Sequence, residues 1–516
     1  MSKARELSKL PNYVLSTVAE LKLSVGKEQG DKAFVGGYYA DGDGGGGDFY
    51  WDAVSVETDN GGTIVQVTGV TTGRWKRIYS GSVNIKWFSS LQSALNTGLH
   101  VLGNKIDTYQ ITDTLTILTP AQKVNLNGAT VNLNDATGLK SHIKIGDGIT
   151  QVNGVELDGI TFTRTQVATS GYAIETDYCG VVKIKNCRIY GDNKIFSGIR
   201  LYKCTVSNIE NNYIQNCVSK GLSLQGTNNS TLRTVDTTII NNRIEGGVTA
   251  IDCYDFVEGF FCRNNILFNT SSSALSINAS SDANGLYSFK IQHNDFDTCG
   301  GYGIYIDAVS SVQITDNWFS SITGSYALGV KSLCDSVIVS DNQMYPSVNG
   351  VLVEGINVSI HDNLVSGGSG SLVVLGLTAT RNSVLSNKLL GGAYAFNFVS
   401  GYDGGLILDN TMYAQSSGTT NNMAGTTNLT FKDNKGDTVI GDTNFITLGA
   451  SPYTYTSGAR PEMVSVFGGT VSNIQTGGNS IGFTSNRTLV LAPNTSTIVT
   501  YSSVPFMTKT YLWLKN

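Results

Sequence analysis

From about residue 182 the chain alternates apolar and polar positions in short runs, and the runs repeat. The unit reads apolar, any residue, Asn or Asp, Asn, any residue, apolar. Its copies are IKNCRI from Ile184, IENNYI from Ile209, IINNRI from Ile239, FCRNNI from Phe261, IQHNDF from Ile291 and ITDNWF from Ile314. VSDNQM from Val339, IHDNLV from Ile360, VLSNKL from Val384, ILDNTM from Ile407 and a weaker FKDNKG from Phe431 continue it. The fourth position holds Asn212, Asn242, Asn264, Asn294, Asn317, Asn342, Asn363, Asn387, Asn410 and Asn434, with Cys187 the exception. Positions 187 and 434 lie ten repeats apart, a mean period of about 25 residues. Looser copies, VNLNGATV from Val124 and VELDGITF from Val155, extend the pattern backwards. Alternation in twos is not a helical repeat, and no leucine skeleton is present. The period predicts a parallel β-solenoid whose coils hold two or three short strands and stack about 4.8 Å apart. Asn suits the recurring turn because it tolerates left-handed backbone angles, and stacked amides can bond to one another along the axis.

A second strand precedes each unit. Its register gives Ile174–Asp177, Ile199–Tyr202, Leu222–Gln225, Ile251–Tyr254, Leu275–Asn278, Ile304–Asp307, Leu328–Lys331 and Val351–Glu354. First and third positions are mostly apolar and are expected to face the core; second and fourth are expected to face solvent. Cys179 and Cys204 share a register and read as a stacked pair of thiols, not a disulfide.

The ends differ from the repeat. Residues 13–24 are compatible with a short helix. FVGGYYADGDGGGGDFYWD, from Phe34, then NGGTIVQVTG and GRWKRIYSGSVNIKWF, ending at Phe88, read as a small β-rich module. The glycine run lacks the GxxxxGK[ST] ending and a following helix, so it is not a phosphate loop. Beyond about residue 440, SVFGGTVSNIQ, NRTLVLAPNTSTIVTYSS and MTKTYLWL suggest a compact β-module that caps the last coil. The predicted domains are therefore 1–88, 89–440 and 441–516.

Composition narrows the function. The 516 residues carry 35 Lys+Arg and 40 Asp+Glu, a net charge of −5, with only 15% charged residues. No basic excess exists to displace counterions, so nucleic acid is not an expected partner. The opening MSKARELSKLPNYVL lacks the apolar stretch of a secretory signal, and no run approaches a membrane span. Eight cysteines form no CxxC pair and four histidines are scattered, so neither a metal nor another cofactor is expected.

The block GYYADGDGGGGDFYWD … NGGTI … GRWKRIYSGSVNIKWF resembles the N-terminal module of bacteriophage tailspike proteins that carry a pectate-lyase-like right-handed β-helix. SALNTG at Ser93–Gly98 resembles the short helix capping such solenoids, although the GAKGDG…DDT stretch usual after the WF is absent. The tail from SPYTYTSGARPEMVSVFGG to MTKTYL resembles the C-terminal β-module of several such proteins. The resemblance implies an all-β, right-handed parallel β-helix, and a homotrimer in the virion tail, attached through its N-terminal module to a tail or baseplate protein. It also implies binding, and usually depolymerisation, of a bacterial surface polysaccharide such as a capsule or O-antigen. It transfers no catalytic residue.

Cleaving a glycosidic bond by hydrolysis needs two flanking carboxylates. The outward columns of the second strand supply Glu175, Asp177, Asp252 and Asp307 as candidate acids. Arg200, Tyr202, Gln225, Tyr254, Asn278, Tyr305 and Lys331 are candidate sugar-binding groups. Asp252 and Asp307, central along the solenoid, are the first choice; Glu175 and Asp177, two residues apart on one strand, are the competing pair. Asp255 and Glu258 would thicken the acidic cluster. An Asp beside a Lys would equally suit lyase chemistry on a uronate, and the same face would serve a non-catalytic adhesin.

Overall fold

The computed structural model describes residues 11–228, 232–280, 285–423, 426–436, 444–458, 461–482 and 486–511. Residues 1–10, the expected boundary near 440 and the end of MTKTYLWL lie outside these. The chain divides into two units, Met1–Leu328 with Leu333–Asp335, and Gly329–Ser332 with Ser336–Asn516. The architecture is all-β, with helix confined to single turns.

The first unit opens with a five-stranded sheet in the order Tyr13–Thr17, Lys32–Gly37, Gly47–Asp52, Arg74–Arg77, Ile64–Gln66. The last four strands are antiparallel neighbours, and Tyr13–Thr17 adds in parallel at the edge. This corrects the expected helix over 13–24: Tyr13, Leu15 and Thr17 alternate with exposed positions as a strand does, and only Val18–Leu21 turn helically after the Thr17 cap. Val35, Phe49, Val65 and Trp75 fill the core. The glycine run wraps two charged side chains. The Asp43 carboxylate accepts from the backbone N–H groups of Tyr38, Tyr39, Ala40 and Gly45 at 2.7 to 3.1 Å. The Arg77 guanidinium donates to the carbonyls of Gly45, Gly46 and Gly62 and lies over the rings of Phe49 and Trp87. A Cβ at Gly46 would meet the Val35 carbonyl at 2.3 Å, so the close backbone approach requires glycine there.

The solenoid is capped by the helix Leu91–Leu95, a few residues ahead of the expected Ser93–Gly98. The Ser90 hydroxyl caps it, and Leu91, Ala94 and Leu95 are buried. Gln92 ties it to the first coil by donating to the Thr116 carbonyl and accepting from the Thr116 N–H.

Each full coil then runs through three flat faces. In one coil these are Ile174–Asp177, Lys183–Lys185 and Arg188–Tyr190. Left-handed residues make the bends: Tyr178 and Val181 between the first two faces, Asn186 before the third. The same positions recur one coil on at Lys203, Val206 and Asn211. The left-handed residue is therefore the third of the repeating unit, not the fourth as expected. The fourth points inward. In the first unit the side-chain nitrogens of Asn212, Asn242, Asn265 and Asn294 each donate to the side-chain oxygen of the next coil's Asn, ending at Asn317, at 2.9 or 3.0 Å. In the second unit Asn342, Asn363, Asn387 and Asn410 do the same, ending at Asn434. Cys187 opens the ladder by donating its backbone N–H to Asn212. The expected ladder position Asn264 is wrong by one residue: Cys262 pairs with Ile239, so Asn265 is the buried rung and Asn264 the exposed left-handed residue.

The corner from the third face into the next coil admits only small residues. Ala173, Gly198, Gly221, Ala250, Ala274, Gly303 and Ala327 occupy it in successive coils. A Cβ at Gly221 would meet Ile244 Cγ2 at 2.3 Å, and one at Gly303 would meet Phe319 at 2.6 Å. In the second unit, the coils are followed by two four-stranded sheets. One orders Asn444–Ile446, Phe506–Tyr511, Glu462–Phe467 and Arg487–Leu491; the other orders Tyr453–Thr456, Ser496–Ser503, Thr470–Thr476 and Asn479–Gly482. Val464 and Val466 of the first meet Ile474 and Val499 of the second in one core, a β-sandwich.

Two outcomes are expected. Asn294 donates to Cys262, Gln292 and Asn317 and accepts from Asn265. Asn294→Ala leaves several buried groups unpaired at roughly 1–3 kcal/mol each, so chemical denaturation should show a loss of at least about 3 kcal/mol; a loss near zero would mean the ladder is dispensable. Burial opposes the Asp43 charge, but its four backbone donors prevail and bring its pKa down to about 2 from 3.8. A depressed carboxyl stabilises the fold above its unfolded pKa and loses that contribution as pH falls through the folded one. Amide exchange at Tyr38–Gly45 should therefore accelerate between about pH 4 and pH 2, and Asp43→Ala should show fast exchange at neutral pH.

Candidate functional site on the outer faces

The first face carries the expected residues in two outward columns. One column reads Glu175, Arg200, Ser223, Asp252, Ser276, Tyr305; the other reads Asp177, Tyr202, Gln225, Tyr254, Asn278, Asp307. The inward positions between them are buried, as alternation requires.

Three clusters form along this face. At its start, Glu175 accepts from Ser141 Oγ at 2.8 Å and pairs with Arg200 at 3.5 Å. Arg200 also lies 4.3 Å above the Tyr202 ring and 5.5 Å from that of Tyr172. Asp177 stands between Lys203 at 3.0 Å and Lys144 at 3.7 Å. In the middle, Asp252 is ion-paired with Lys220, with Tyr254 beside it in the other column. Further along, the Tyr305 hydroxyl donates to Asp307 at 3.3 Å. Burial and the Asp307 charge push the Tyr305 pKa up to about 12. Tyr302 packs against Tyr305, with ring centroids 5.2 Å apart, and stacks on Tyr326 at 6.0 Å.

Asp252 and Asp307 stand in different columns, two coils apart. Strand spacing and rise put their Cα atoms about 12 Å from each other, so their carboxyl groups reach the roughly 6.5–9.5 Å of an inverting pair only where the side chains lean toward one another. Glu175 and Asp177 do lie two residues apart on one strand, each already held by a cation. Lys331 belongs to the second unit, where it pairs with Glu354. Asp255 is not a groove acid: it is buried and left-handed, and its carboxylate accepts from Ser280 N and Oγ. Glu258 pairs with Arg233 at 3.6 Å.

Sequence reasoning missed the third face. Its columns read Arg188, Tyr213, Arg243, Ile266, Asp295, Trp318 and Tyr190, Gln215, Glu245, Phe268, Asp297, Ser320. Most of these strands are only three residues long, so no alternation announces them. The signal was the residue after each ladder Asn, which is the first outward position of this face. Burial, with the neighbouring Asp297 charge, raises the pKa of Asp295.

All eight cysteines are free and buried, and Cys179 does stack on Cys204. Among the described residues no group of three or more His, Cys, Asp or Glu is placed to hold a metal ion, and no helix is long and apolar enough to cross a membrane.

Residues 14–80 match the profile of the phage tail protein small four-stranded β-sheet domain. Residues 283–449 match that of the periplasmic copper-binding protein NosD. No curated protein matches the chain by sequence. Among solved structures it is similar to full-length tailspike protein 2 of an Escherichia coli O157:H7 bacteriophage, at 12% identity and a TM-score of 0.45, covering 100% of this chain and 74% of that one. It is also similar to a tailspike of Acinetobacter baumannii bacteriophage Fri1 described as a capsular polysaccharide depolymerase, at 10% identity and a TM-score of 0.38, covering 97% and 100%. DFA-IIIase from Arthrobacter chlorophenolicus is similar at 11% identity and a TM-score of 0.43, covering 64% and 88%. The four antiparallel strands between residues 32 and 77 lie within the first of these matches. This chain thus joins a phage tail protein β-sheet domain to a parallel β-helix.

Proposed function

We propose that the protein is a phage tailspike that binds a bacterial surface polysaccharide along the first outer face of its solenoid and cleaves it. The observation that carries this reading is the alignment on that face of carboxylates between two tyrosine clusters, Tyr172 and Tyr202 on one side and Tyr302, Tyr305 and Tyr326 on the other. Aromatic faces stack on sugar rings, while Arg200, Gln225 and Asn278 offer hydrogen bonds to hydroxyls. Asp252 lies between the clusters, where glycan bound on both sides orients the scissile bond. In this reading Asp252 and Asp307 carry the acid and base work, with Glu175 and Asp177 as the alternative pair, and the reaction is hydrolysis.

The Asp252–Lys220 ion pair favours a second reading, lyase action on a uronate, in which a base takes the proton α to the carboxylate. The sheet at residues 13–77 attaches the protein to the phage tail, and the C-terminal sandwich holds three copies together.

Purified protein incubated with capsule or lipopolysaccharide should release new reducing ends. Absorbance near 235 nm accompanying them identifies a lyase, and its absence a hydrolase. Neither product, with glycan still bound, makes the protein an adhesin. Asp252→Asn and Asp307→Asn should each lower turnover by roughly 10²–10⁴ while retaining glycan binding; near-full turnover in both removes them from the mechanism and leaves Glu175 and Asp177.

A chain starting near Ser89 should keep the trimer and glycan binding but lose incorporation into particles. A monomer by light scattering, for that chain or the full one, would contradict the trimer.

A further inference from the structure

The third face holds a pair of carboxylates in a setting unlike any on the first. Asp295 and Asp297 project from one strand, Asp295–Asp297, and both are half-buried. In register, Asp297 is flanked by Phe268 on the preceding coil and Asp295 by Trp318 on the following one. Two aromatic side chains therefore bracket the acids, one on each side along the solenoid axis. Phe268 is in turn covered by Arg243, whose guanidinium carbon lies 4.4 Å from the ring. Trp318 is 39% exposed although most large apolar side chains of these coils are fully buried. Among the described residues no basic group lies within ion-pair distance of either acid, and the Thr298 hydroxyl donates to Asp297 at 3.0 Å.

We propose that Phe268, Asp295, Asp297 and Trp318 form a second saccharide-binding site, separate from the first outer face, in which an extended glycan runs obliquely across the third face. Three features select a sugar chain over a protein surface. The aromatic side chains sit two coils apart and in different columns, so their Cα atoms lie about 12 Å apart on a diagonal across the face, and the outward positions of the intervening strand are the two acids. That diagonal suits a short run of pyranoses, so a glycan crossing it meets Phe268, then the carboxyls, then Trp318. A protein partner laid over this face would bury two carboxylates with no counter-charge, which costs several kcal/mol. Sugar hydroxyls, by contrast, donate to carboxylates while the C–H faces of the rings stack on aromatics. Burial beside Asp297 also raises the pKa of Asp295, so when protonated it offers a donor to a ring or glycosidic oxygen where Asp297 offers an acceptor.

The chain has five tryptophans, and Trp318 is a reporter placed in the site itself. The full-length protein would be titrated with a panel of capsular and O-antigen oligosaccharides while tryptophan emission is followed. The expected result is a saturable change with at least one oligosaccharide that disappears in Trp318→Phe. Trp318→Ala, Phe268→Ala and Asp295→Asn should each weaken binding by about three- to ten-fold while circular dichroism shows the β-fold retained. Persistence of the full emission change in Trp318→Phe, or no change across the panel, overturns the site. Product release from the wild type is scored separately: a protein that binds here but releases no product leaves this site standing and removes the depolymerase reading, and the converse result does the reverse.

Discussion

The buried asparagine ladder is the constraint from which the rest of the solenoid follows. Turning a strand sharply by a left-handed residue removes backbone carbonyls from regular pairing at that point, and in a narrow core no water is available to satisfy them. Each ladder amide repairs this locally. Asn294 donates to the carbonyls of Gln292 in its own coil and Cys262 in the coil before, and its oxygen accepts the backbone N–H of Asn265. The amide needs a partner on the following coil to complete its own bonding, and that coil supplies one only if it repeats the same bend. A polar side chain that would be costly alone becomes favourable when stacked, so the coils must stay in register.

Fixed register explains why function can be read in columns. When each coil repeats the last, a side chain at a given position stands one strand spacing from its equivalents, and chemistry accumulates along the axis instead of within a pocket. The small residues at the corner serve the same end. Gly198, Gly221 and Gly303 let the third face's core side chains, Ile214, Ile244 and Phe319, press against the backbone that begins the next first face. A Cβ at Gly221 or Gly303 would meet Ile244 or Phe319 at under 3.0 Å and push the faces apart. The loops between faces vary in length, which is why the period averages 25 while individual steps do not.

Much of this was legible from residues alone, and the failures have physical causes. The repeat, the outward columns of the first face and the stacked thiols followed from alternation. The ladder rung at Asn265 was misplaced because two adjacent asparagines offered two alignments, and only the buried Cys262 opposite Ile239 decides between them. The roles within the unit were confused for a related reason: Asn is suited both to left-handed backbone and to amide stacking, and here adjacent residues divide these tasks, with Asp316, Asp341 and Asp362 taking the first. The strand at Tyr13–Thr17 was hidden because its partner lies some twenty residues away and pairs in parallel. Asp255 looked like a groove acid because sequence does not show whether a turn carboxylate faces out or caps its own loop.

The two outer faces also differ electrostatically in a way that bears on what each can do. On the first face these acids each meet a base: Glu175 meets Arg200, Asp177 meets Lys144 and Lys203, and Asp252 meets Lys220. Such pairs are half-exposed, so each contributes little to stability, but together they hold long side chains in place and leave the face nearly neutral. A ligand binding there must displace or join an ion pair, which rewards substrates carrying charge of their own. On the third face, Asp295 and Asp297 share one strand with no cation in ion-pair distance among the described residues, and burial, with the Asp297 charge, raises the pKa of Asp295. That face rewards ligands rich in hydroxyls, which donate and accept without bringing charge. The first unit presents both environments because the faces of its coils are separate surfaces wrapped around the core they share.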